Sequence, residues 1–115
     1  MRKTDKKIDN ALRLALTQVC DIAQSEQEGF EWLTHFANYD RFPHSLAIVC
    51  VFDTQLNLSK ANQSAMRCLI KERLASIDIK VKDIGKQVTF DSVENCENEN
   101  DGKWNTRFQK QGFQH

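Results

Sequence analysis

FEWLTHFANYDRFPHSLAIVCVFD, from Phe30 to Asp53, holds the one proline of the chain and its longest apolar run, and its reading decides the fold. FEWLTHFANY is rich in aromatic residues and has no helical stripe. LAIVCVFD is too short and too rich in Val, Ile and Phe for a helix. With DRFPHS as the turn between them, the stretch predicts a β-hairpin. Placing Tyr39 opposite Leu46 pairs His35 with Cys50, Leu33 with Phe52 and Trp32 with Asp53. That register sends Leu33, Ala37, Tyr39, Leu46, Ile48, Cys50 and Phe52 to one face, and Trp32, Phe36, Val49 and Val51 to the other.

On the N-terminal side, apolar residues at Ile8, Leu12, Ala15, Leu16, Val19, Cys20 and Ala23 recur every three or four positions from the candidate cap Thr4. This is the stripe of an amphipathic helix that Gly29 would stop. On the C-terminal side, a second helix is expected from about Ser59 or Asn62, with Ala65, Met66, Leu69, Ile70 and Leu74 inward and Lys60, Ser64, Arg67 and Lys71 outward. IDIKVKDIGKQVTFD then alternates Ile77, Ile79 and Val81 with Asp78, Lys80 and Lys82, and turns near Gly85 toward Val88 and Phe90, which predicts a second hairpin. The expected architecture is a single-domain α+β fold of order α-β-β-α-β-β: a four-stranded, largely antiparallel sheet with two helices on one face. Residues 1–92 would form this domain. Residues 93–115, acidic and Asn-rich and then basic with interspersed aromatics, would form a polar tail, partly disordered or docked.

The 115 residues are 40% hydrophobic, enough for one core and too few for two. Sixteen Lys and Arg balance sixteen Asp and Glu, so no global field draws the chain to nucleic acid or an anionic membrane. The four cysteines lie far apart, and most sit in apolar patterns, as in a reducing compartment. Neither a secretory h-region nor a membrane-length apolar run is present. A cytoplasmic protein without a membrane association is expected.

Catalytic arrangements meet geometric objections. A Ser45, His44 and Asp53 triad fails because Ser45 and Asp53 would stand about 26 Å apart at opposite ends of one strand. A His35–Cys50 contact follows from the hairpin register, but Cys50 sits between two valines rather than in the accessible, electropositive setting a reactive thiol needs. ENENDGKW has acids at Glu97, Glu99 and Asp101 and Gly102 in sixth place, as in a calcium loop, but Phe108 occupies the twelfth position, where a bidentate acid belongs. No spacing suits zinc and no glycine loop suits a phosphate, so neither a metal nor a cofactor is expected.

RKTDKKIDNALRLALTQVCD, GFEWLTHFANYDRFPHSLAIVCVFDT and VTFDSVENC together resemble a family of small uncharacterised bacterial proteins, over roughly residues 4–104. Some members carry the label of Fis-family transcriptional regulators, which implies DNA binding. Fis-type proteins end in a helix-turn-helix, whereas this sequence reads as ending in a hairpin pattern and a polar tail, so its residues do not support that label; the family has no established activity, and no functional residue carries over.

Three functions are weighed. The first is a non-catalytic binding or assembly module that homodimerises through Trp32, Phe36, Val49 and Val51 or binds a protein partner there, because that face is too apolar for water. The same face has two competing covers: the tail, through Trp104 and Phe108, or stacked nucleobases. The second function is nucleic-acid binding through the basic stripe Lys60, Arg67 and Lys71, or through the open sheet. The third is a small enzyme using His35, Cys50 or Asp53.

Overall fold

The computed structural model describes residues 2–113; residues 1, 114 and 115 of the expected domain and tail lie outside the described residues. Helix α1, Lys3–Glu26, buries Leu12, Ala15, Leu16, Val19 and Ala23 along one stripe. The chain then reverses through Gly29, whose φ of +82° suits glycine. A side chain there would also collide with Asp53 and Asn57.

Strand β1, Phe30–Phe36, pairs antiparallel with β2, Ala47–Phe52. Their link is a 3-10 turn, Tyr39–Arg41, followed by a cis Phe42–Pro43 peptide. Because Tyr39 is withdrawn into this turn, the hairpin closes at Asn38, whose amide donates to Ser45 Oγ at 2.9 Å and whose carbonyl accepts from it at 2.6 Å. The register therefore sets Leu33 opposite Cys50 and His35 opposite Ile48, with a bulge between Phe30 and Trp32. The expected His35–Cys50 pairing is corrected by a slip of two positions. An even slip leaves the side chains from Trp32 to Phe36 on their faces, while the bulge sets Phe30 beside Phe52 on the face opposite Trp32.

The four-stranded, largely antiparallel sheet is also corrected: the sheet has three strands in the order β1-β2-β3, and β3, Val88–Ser92, runs parallel to β2. Two causes can be named. First, the crossover after β2 contains two helices, α2 (Gln55–Lys60) and α3 (Gln63–Ala75), capped by the side chains of Thr54 and Asn62. A helical crossover returns the chain to the start of β2 and so yields a parallel neighbour. Second, the alternation of Ile77 to Lys82 never joins a ladder. Helix α3 ends with Asp78 at φ +64°, the Ile79 amide bonding Leu74 and the Asp78 amide bonding Ala75, a left-handed helix stop of the Schellman type. Ile79 and Val81 are buried in the irregular chain that follows. Gly85, expected at a hairpin turn, lies in the short helix α4 (Ile84–Gln87), capped by Asp83.

Beyond β3 the chain forms α5 (Val93–Asn100) and α6 (Trp104–Lys110). The order among the described residues is thus α-β-β-α-α-α-β-α-α, still α+β. Helices α1 and α3 pack with Ile48, Cys50, Phe52 and Val88 into the larger core. On the opposite face Phe36, Val49 and Val51 meet Phe108 of α6, with Trp32, Trp104 and Phe113 at the margin. No helix is long and apolar enough to cross a membrane among the described residues.

Candidate functional site

The four side chains expected at an interface lie beneath the chain's own C-terminal helices. Trp32 meets Trp104 edge to face at 4.9 Å, and Phe36 contacts Phe108 and Phe113 at 5.1 Å each, while Val49 and Val51 are buried between them. The closure is locked by Arg107, whose Nε and Nη2 donate to the two oxygens of Asp91 at 2.6 and 2.9 Å. Its Nη1 reaches Glu99 and Asn100. Glu99, one of the acids of the calcium-like ENENDGKW, is thereby committed to an ion pair.

The basic stripe is dispersed. Arg67 turns inward, donating to the Val88 carbonyl at 3.2 Å with its guanidinium over the Phe90 ring at 5.0 Å. Lys60 on α2 and Lys71 on α3 stay exposed. Nor do the enzyme candidates converge. Asp53 stands at the end of β2, five residues beyond the partner of His35, or about 17 Å along the strand. Its Oδ1 accepts from Asn57 Nδ2 at 2.9 Å and the Thr54 amide at 2.6 Å, which hold the carboxyl below its ordinary pKa. Cys50 is fully buried, and burial, with Cys20 nearby, pushes its thiol up to about 12.

His35 instead belongs to a cluster that periodicity did not reveal. Helix α1 runs back along the free edge of β1, and between them lies a cleft of about 580 Å³. It is lined from α1 by Asp9, Arg13, Thr17 and Cys20 and from β1 by Leu33 and His35, with Tyr39 at one end. Asp9 is the hub. Its Oδ1 accepts from Tyr39 Oη at 2.5 Å and lies 3.5 Å from His35 Nε2, and its Oδ2 accepts from Arg13 Nε at 2.7 Å. The Tyr39 bond, opposed by partial burial and reinforced by Arg13 and His35, keeps the carboxyl ionised at lower pH than usual. Burial and the same carboxylate push the Tyr39 hydroxyl well above its ordinary value. Burial likewise raises the Cys20 thiol.

No protein-family model, curated protein or solved structure matches the chain. The chemistry of the cleft must be read from its own residues. Its carboxylate already accepts from Tyr39 and Arg13, its phenol is held protonated and its thiol is less acidic than normal, so neither the phenol nor the thiol is prepared to act as a nucleophile. Among the described residues no group of three or more His, Cys, Asp and Glu side chains is arranged to hold a metal. What the cleft offers is a recess of mixed polar and apolar lining, with the exposed Arg13 cation on one side and a strand edge along one wall. In the sequence, Asp9 and Arg13 look like an ordinary i,i+4 surface pair. Only their meeting with Tyr39 and His35, about thirty residues away, distinguishes them.

Proposed function

We propose that the protein is a small non-catalytic binding module of the cytoplasm, whose recognition surface is the cleft between α1 and β1 and whose partner is another polypeptide. The observation that carries this reading is the free edge of β1 on that cleft, in a molecule whose apolar sheet face is filled by its own C-terminal helices. An open strand edge beside a half-polar recess is a common seat for protein partners. Four free cysteines fit a reducing compartment. Self-association through Trp32 and Phe36 would first have to displace α6, so the cleft is the better supported contact surface.

The test uses random dodecapeptides displayed on phage and selected against the full chain. Recovered peptides should shift the amide signals of residues 33–39 and of Thr17. They should also lose binding when Thr17→Trp fills the cleft. Binders that map elsewhere, or repeated selections that yield none, would overturn the reading.

A further inference from the structure

Resting on that reading, a second step concerns the form of the occupant. In an antiparallel ladder alternate residues turn both backbone groups toward the neighbouring strand, and the residues between turn theirs away. The outward set of β1 is marked by its contacts with α1: the Glu31 carbonyl receives Gln24 Nε2 at 3.1 Å, and the Leu33 backbone faces the Cys20 thiol, whose pKa it lowers against the effect of burial. The next outward residue is His35, and Ala37 continues the alternation past the strand. At their level α1 presents Asp9 and Arg13, which bond each other, Tyr39 and the His35 ring rather than the β1 backbone. Among the described residues no hydrogen bond from α1 closes the backbone of His35 or Ala37. The edge is therefore closed by α1 at the Glu31 carbonyl, approached by Cys20 at the Leu33 amide, and open from the Leu33 carbonyl to Ala37, and this open part lines the cleft.

The charges narrow the occupant further. Both Asp9 oxygens already carry a donor, one of them a guanidinium, which weakens the pull of this carboxylate on an incoming cation. Arg13 spends only Nε on Asp9, and its side chain is 69% exposed at the cleft mouth, so its Nη groups remain for an anion. A row of outward backbone groups repeating every second residue, about 7 Å apart, matches an extended chain and not a helix. We propose that the Leu33–Ala37 edge takes a short extended segment of a partner protein as a fourth strand, with an Asp or Glu of that segment on Arg13.

The probes are the peptides recovered in the selection above. They should share an acidic residue at one position. N-methylation of the amides facing β1 should abolish their binding, and N-methylation of the intervening amides should not. Arg13→Ala should weaken binding by about tenfold, as expected for a lost charge-assisted hydrogen bond, with thermal unfolding unchanged. Arg13→Glu should select basic peptides instead. Peptides that seat in the cleft but tolerate N-methylation everywhere, or carry no acid, would overturn strand addition and leave the binding surface standing. If nothing binds in the cleft, both readings fall.

Discussion

The residue with most to lose is Arg107. With Asp91 it forms a bidentate ion pair in which the two side chains are 9% and 6% exposed. Removing one partner from such a pair leaves a buried charge uncompensated, which costs about 3–5 kcal/mol. Arg107→Ala should lower stability by that order in urea titration. Asp91→Leu with Arg107→Met, which removes both charges, should lose less than either single change. The pair also fixes an acid limit. Burial pushes the Asp91 carboxyl up, but Arg107, the Ser92 amide and Gln111 together hold it below its ordinary value. A folded pKa below the unfolded one, about 3.9, means that the stabilisation is complete at neutral pH. It fades as pH falls from about 4 through the lower folded value. Unfolding titrations should therefore show stability dropping with acid below about pH 4, with a smaller drop in Asp91→Asn.

At the scale of elements, α6 carries the second layer on seven residues. Phe108 is 6% exposed against Phe36, Val49 and Val51, so Phe108→Ala should cost about 3–5 kcal/mol in the same titration, whereas exposed Lys110→Ala should stay within about 0.5 kcal/mol. Sequence legibility also divides by element. The first helix is plain because five buried residues repeat at helical spacing along it. From Trp32 onward the face of each residue in β1 and β2 is plain too, because side-chain parity survives an even slip in register; the bulge before Trp32 sets Phe30 on the other face. The residues from Ile77 to Lys82 mislead because alternation reports burial on one side, and Ile79 and Val81 are buried without any strand partner. Strand direction was hidden as well: α2 is only six residues long, and Gly85 reads as a turn although Asp83 caps a helix there. Of the cleft, the sequence marks only His35, and for a different contact. Asp9 and Tyr39 carry no pattern of their own, because a long-range hydrogen bond leaves no periodic trace.

Taken whole, the molecule is a thin mixed sheet between unequal layers, with β2 paired on both sides and β1 on one. Native-state hydrogen exchange should reflect this arrangement. The amides of residues 48–52 should be protected to near the global unfolding free energy, while those of His35 and Ala37 exchange through local opening. Equal protection of both groups would contradict an open edge. The layer made by α6 also has a consequence in time. The strands that it covers are complete at Phe52, and Phe113 is added about sixty residues later, or roughly 3–12 s at ribosomal speeds. Throughout that interval Trp32, Phe36, Val49 and Val51 lack their cover, and the nascent chain offers a greasy, strand-forming surface to ribosome-associated chaperones and to neighbouring copies on the same message.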